Sequence, residues 1–269
     1  MGSTVFVIWR ESVEAMLVVG LLHSWLKFND PGGAGKRSLA LGVLLGLGLA
    51  GGLGWAMVAA QSELSGQALE WFQVAMLLVA AALMVQMVFW MRRHGAAMRQ
   101  SLHHNLAQAA ERSGRLGIAV VAALAIAREG SEAAVFLYGA SLEPGAGGSL
   151  TLGAALGVAI AALTAWLLSR GLRFLDYRRF FLISGWMLLL FALALLVSAV
   201  DRLIGAGLLP ALVDPVWNSA WLLDDGHGLG SVLAAMVGYR ARPSLTLLLV
   251  FAVYALTVLR ALRAPRCHA

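Results

Sequence analysis

AIAREGSEAAVFLY, Ala125 to Tyr138, sits inside an apolar run that begins near Leu116, and it carries the ionised groups Arg128, Glu129 and Glu132. A charge near the centre of a bilayer costs at least about 2.5–3.5 kcal/mol, so such groups face a protein interior or a wet cavity and mark pathways for ions or protons. The same pattern occurs once more, as Arg10, Glu11 and Glu14 in the first apolar run. If the two clusters meet, the chain holds a polar pocket deep in lipid.

Composition puts the rest of the chain in the same setting. Of 269 residues, 60% are hydrophobic and 13% charged, and the mean hydropathy is +0.81. A soluble domain carries roughly 25% charged residues, so a polytopic membrane protein is expected, as a single membrane domain over residues 1–269. The lone cysteine, Cys267, excludes a disulfide framework and a cysteine metal site. The formal charge of +6 would suggest nucleic acid, but the basic residues lie between apolar runs, where they set topology and meet lipid headgroups. Residues 1–6 have no basic n-region, so no cleavable signal peptide is expected.

Seven runs reach the length of about twenty residues that a span needs: Thr4–Leu26, Leu39–Ala60, Leu69–Met91, Leu116–Tyr138, Leu150–Ser169, Phe180–Val200 and Ser244–Leu262. Helices are expected, because backbone groups in lipid must be satisfied within each segment. Lys and Arg concentrate in the first, third and fifth loops and the tail, for example Lys36, Arg37, Arg92, Arg93, Arg170, Arg173, Arg260 and Arg263. The positive-inside rule then places the N-terminus outside and the C-terminus in the cytoplasm. Residues 201–243 form the one long external loop, with Trp217 and Trp221 in stretches too short to span; they could lie in the interface or dip back beside the bundle. The third loop, 92–115, reads as a cytoplasmic extension of the third helix. Trp25, Trp71 and Trp90 fall near helix ends, as an aromatic belt would.

The two charged motifs head an internal repeat. LALGVLLGLGLAGGLGW from Leu39 aligns with LTLGAALGVAIAALTAW from Leu150, matching Gly42/Gly153, Gly46/Gly157 and Trp55/Trp166. The units 4–91 and 116–200 start on opposite sides of the membrane, so they are expected as inverted three-helix repeats, with helix 244–262 added. Such repeats are a common transporter plan with the site at their interface. The Gly-xxx-Gly spacings let these helices approach closely.

Residues three apart share a helix face, so Glu11 and Glu14 point one way, as do Glu129 and Glu132. Face to face they present four carboxylates, an oxygen set suited to a hard cation. Carboxylates so close repel one another, so the pocket is expected to hold protons until a cation displaces them. Arg10 and Arg128, each four residues before the second glutamate, can neutralise part of that charge and let go when metal binds. The bland alternative, a buried ion-pair network, is a weak stability device and leaves one acid in excess on each helix.

Two Arg-Glu-x-x-Glu motifs in the first and fourth of seven helices resemble the high-affinity iron permeases, also called oxidase-dependent iron transporters (EfeU-like in bacteria). MVFWMRR at Met87–Arg93 and the Gly-Tyr-x-x-x-Pro-Ser pattern from Gly238 to Ser244 extend the resemblance over essentially the whole chain. It implies a permease of the bacterial plasma membrane, not an enzyme. The cargo would be Fe³⁺ handed on by a separate iron-oxidising partner, with Glu11, Glu14, Glu129 and Glu132 as ligands or relay groups. No permanent cofactor is implied, and a homo-oligomer is compatible with the plan. Three positions depart from the family pattern: Ser12 where glycine is usual, Gln73 where a second acid often follows Glu70, and Asn218 where an acid is common.

Other candidates are weaker. Glu70, Asp224, Asp225 and His227 are candidates for external capture of a cation, though a glycine-rich solvated turn accounts for Asp224, Asp225 and His227 as well. His94, His103 and His104 could bind metal from inside, or form solvated surface. Met76, Met84, Met87 and Met91 recur at near-helical spacing, which fits packing or a soft-metal path. The rival readings are a permease for Mn²⁺ or Pb²⁺, an intramembrane metal-dependent enzyme, and a non-transporting assembly subunit.

Overall fold

A computed structural model describes residues 2–29, 34–94, 98–142, 149–169, 177–226 and 228–263. All the regular structure in these residues is helical: α1 (Gly2–Asn29), α2 (Ala34–Glu63), α3 (Gly66–His94), α4 (Met98–Ser141), α5 (Ser149–Ser169), α6 (Tyr177–Gly205), α7 (Gly228–Val237) and α8 (Leu245–Arg263). Five stretches are long and apolar enough to cross a membrane: Gly35–Glu63, Gly66–Arg92, Leu150–Leu167, Leu182–Gly205 and Leu245–Arg263. The chain is a multi-pass membrane protein. The helices α1 and α4, which carry the Arg-Glu-x-x-Glu motifs, are not among the five.

The five long apolar stretches carry apolar residues on nearly all sides, as spans surrounded by lipid do. Large side chains such as Leu44, Leu45 and Trp55 of α2 and Leu152 and Trp166 of α5 face outward. The most buried span is α6, where Leu188, Ala192 and Ala199 are fully enclosed. The main helix pairs are α2 with α4, α1 with α5, and α3 with α6, and α1 also meets α4.

Two of these pairs depend on glycine. A Cβ at Gly46 of α2 would lie 2.8 Å from the Ala123 carbonyl oxygen and 2.8 Å from Ile126 Cβ of α4. A Cβ at Gly157 of α5 would lie 2.8 Å from the Val5 carbonyl oxygen and 2.9 Å from Ile8 Cβ of α1. Backbones approach this closely only where no side chain intervenes.

One apolar cluster joins Val7 of α1, Val135 and Phe136 of α4, and most of the buried faces of α3 and α6. A second joins Val18, Leu22 and Leu26 of α1 to Leu39 of α2 and to Ile118 and Ala122 of α4. On both α1 and α4 the charged motif falls between the two clusters. Apolar packing on either side therefore fixes the depth at which the two motifs face each other.

Two connecting segments take their form between the long helices. Within residues 92–115, α3 runs to His94, and a helix from Met98 reaches a break at Gly114 (φ 56, ψ −128) that sets it off from the rest of α4. Only glycine adopts that backbone conformation at little cost, so the chain turns there between the two helical pieces. The loop 201–243 contains the short helix α7, packed on α6 and α1, while Trp217 and Trp221 remain exposed. Arg240 anchors this loop by donating to Asp201 Oδ2 and Ser198 Oγ. Arg202 joins α6 to α3 and α4 by donating to Gln73 Oε1 and the Leu142 carbonyl.

Candidate metal site

The site is built on one turn of α1 and one turn of α4. Carboxylate oxygens of Glu11, Glu14 and Glu129 all lie within 4.8 Å of one another, and the three residues are 2%, 5% and 6% exposed. Among the described residues this is the only set of three or more acidic, histidine or cysteine side chains so placed. Glu132 is not part of that set. Its Oε1 lies 3.2 Å from Arg128 Nε, at the edge of the pocket.

The two arginines differ. Arg10 is fully buried, with Nη1 2.7 Å from Glu11 Oε1 and Nη2 2.6 Å from Glu14 Oε1. The same nitrogens reach Met87 Sδ at 3.0 Å and Met91 Sδ at 2.7 Å. The Arg128 side chain is 44% exposed, and its guanidinium carbon stands 4.3 Å from the centre of the Trp90 ring. Met87, Trp90 and Met91 share one face of α3 by their three- and four-residue spacing. Their contribution was hidden in the sequence, where Trp90 reads as aromatic belt and the methionines as packing. Their place beside the Arg-Arg pair of MVFWMRR was the available signal.

Four glutamates against two arginines leave acid in excess. Glu11 Oε2, Glu129 Oε2 and Glu132 Oε2 are buried without a hydrogen-bond partner among the described residues. An unsatisfied buried polar atom costs about 1–3 kcal/mol, more for a charged one. A cation bound between the helices would satisfy these oxygens together. The chemistry available is therefore ligation of a hard ion by carboxylate oxygen.

Glu70, Asp224 and Asp225 do not join this site. Glu70 is exposed on the first turns of α3. Asp224 Oδ1 accepts from the Gly226 backbone N–H at 3.1 Å, which is turn chemistry, and Asp225 is half-buried beside it. His227, Glu143 and Cys267 lie outside the described residues, as do the side chains of His94, His103 and His104.

Comparison with known proteins agrees with the motif resemblance. The chain is 30% identical over 258 residues to the ferrous iron permease EfeU of Shigella sonnei (strain Ss046), covering 95% of this chain and 93% of that protein. A relative in Escherichia coli (strain K12), at the same identity and coverage, bears the name of an inactive ferrous iron permease EfeU. The ferrous iron permease EfeU of Yersinia pestis is 28% identical over 255 residues, covering 94% of this chain and 90% of that protein. No solved structure matches the chain. The profile of the Iron permease FTR1 family matches residues 1–264. With a full-length match to this profile, the chain belongs to the iron permease FTR1 family, a family of transporters and not of enzymes.

Proposed function

We propose that this permease imports iron across the bacterial plasma membrane, and that the ion passes through the pocket formed by Glu11, Glu14, Glu129 and Glu132. The observation that carries the reading is the gathering of Glu11, Glu14 and Glu129 within 4.8 Å, with carboxylate oxygens that no donor among the described residues satisfies. Arg10 and Arg128 serve as counter-charges. Glu70, Asp224 and Asp225 attract cations to the outer face.

Seven spans with the N-terminus outside and the C-terminus in the cytoplasm complete the reading, with α1–α3 and α4–α6 as inverted repeats and α8 as the addition. Contact register supports the repeats. Val5 and Ile8, which receive Gly157, stand to Ala123 and Ile126, which receive Gly46, at the same chain separation as Arg10 to Arg128. The α1·α5 and α2·α4 pairs are then one interface used twice. Rocking or local gating of one unit against the other would expose the pocket to each side in turn.

An all-carboxylate pocket is hard, and its grip rises with ion charge, which favours Fe³⁺ supplied by a separate iron-oxidising partner. The relatives' names favour Fe²⁺ as the second reading. Radioactive iron uptake into sealed vesicles tests both, using ferric citrate and, without oxygen, ferrous ascorbate. Glu14→Gln and Glu129→Gln should each abolish uptake of the preferred ion. Wild-type uptake by the double variant would take these glutamates out of the ion's path, and vesicles in which the wild-type chain itself moves no iron would assign it to a non-transporting subunit.

A further inference from the structure

Arg10 and Arg128 hold matching places in the two motifs but unlike surroundings. Both terminal nitrogens of Arg10 are engaged, by Glu11, Glu14 and two methionine sulfurs. Turning it out would strand a charge in a buried site. Among the described residues Arg128 has one carboxylate contact, to Glu132 at 3.2 Å, and it lies over the indole of Trp90 at 4.3 Å. The face of an indole attracts a cation through its quadrupole without demanding a directional hydrogen bond. A guanidinium can therefore leave Glu132 and keep its hold on Trp90.

An incoming cation needs the pocket to give up positive charge. With Arg10 locked, Arg128 is the group placed to yield. We infer that Trp90 is a positioning residue for ion uptake: its ring holds Arg128 away from the pocket while Glu132 turns in as the fourth carboxylate. The inference rests on the glutamate pocket being the ion site, and it divides the two arginines into one fixed counter-charge and one that is released.

The test uses the full chain in sealed vesicles, with iron uptake measured against concentration for wild type, Trp90→Leu and Trp90→Tyr. Leucine keeps apolar bulk but has no aromatic face, so Arg128 stays on Glu132 and competes with iron. The half-saturating concentration should rise about tenfold, equivalent to about 1.4 kcal/mol, with the maximal rate little changed. Tyrosine keeps an aromatic face and should stay near wild type. Trp90→Leu behaving as wild type, or Trp90→Tyr failing as badly as Trp90→Leu, would overturn the inference.

A second readout does not depend on the leucine variant folding. The emission difference between wild type and Trp90→Tyr should change when gallium(III), a redox-silent ferric mimic, is added to the purified protein. An unchanged difference counts against the assignment. Wild-type transport by Glu14→Gln and Glu129→Gln would sink the pocket itself. If those two stop transport while Trp90→Leu transports as wild type, only the role of Trp90 falls.

Discussion

Gly130, the central residue of the second motif, lies against Ala50 of α2, and a Cβ at 130 would come 2.6 Å from the Ala50 methyl carbon. The glycine that separates Glu129 from Glu132 is thus also the point where α4 leans on α2. Gly130→Ala should push these helices apart and cost about 1–3 kcal/mol, as overpacking does. Thermal unfolding of the purified protein in detergent checks this. The matching residue of the first motif is Ser12, which is half-buried. Ser12→Gly should cost no more than about 1 kcal/mol, the helix-propensity difference.

Arg10 should be far less tolerant of change than Arg128. Removing one partner of a buried ion pair costs about 3–5 kcal/mol, so Arg10→Ala should unfold at a markedly lower temperature. Adding Glu11→Gln to that variant should recover part of the loss, since one stranded charge goes with the other. Arg128→Ala, at a half-exposed position, should shift the unfolding temperature much less. A double-mutant cycle on the same preparation measures both effects.

The glutamates should rank by position. Glu129 has a buried oxygen without a partner and belongs to the close set of three, so Glu129→Gln should raise the iron dissociation constant by about a hundredfold, near 2.7 kcal/mol. Glu132 is already occupied by Arg128, so Glu132→Gln should cost about tenfold. Equilibrium binding of iron to the purified variants supplies the comparison.

Arg240 ties the loop before α8 to Asp201 and Ser198 of α6. Asp201→Asn should remove the charge from that contact and cost about 1 kcal/mol, because the pair is only partly buried. Limited proteolysis between residues 206 and 226 should become faster in the variant. An unchanged cleavage rate would mean that the backbone hydrogen bonds from Val216 to Pro243 and from Ser219 to Ala241 suffice to hold the loop.

Much of the architecture is legible in the chain because lipid imposes a simple rule: a long apolar run must become a helix. The expected run Leu150–Ser169 and the observed Ser149–Ser169 differ by one residue. Residues 98–113 form a helix set off from the rest of α4 by the break at Gly114, and polar helical sequence does not announce which neighbour it will join. In the site, the three-residue spacing places Glu11 beside Glu14 on one helix face. It does not show that Glu132 would be drawn aside by Arg128.

What the sequence determined by itself was the helical membrane class and the two charged turns, which follow from local composition and spacing, while the family was read from the resemblance of its motifs. The tertiary structure decided how those charges are shared. It is α3, distant in the chain, that supplies two sulfurs to one arginine and an indole to the other. That difference arises because motifs with the same charged residues meet unlike neighbours once the helices pack, and no periodicity within α1 or α4 encodes it.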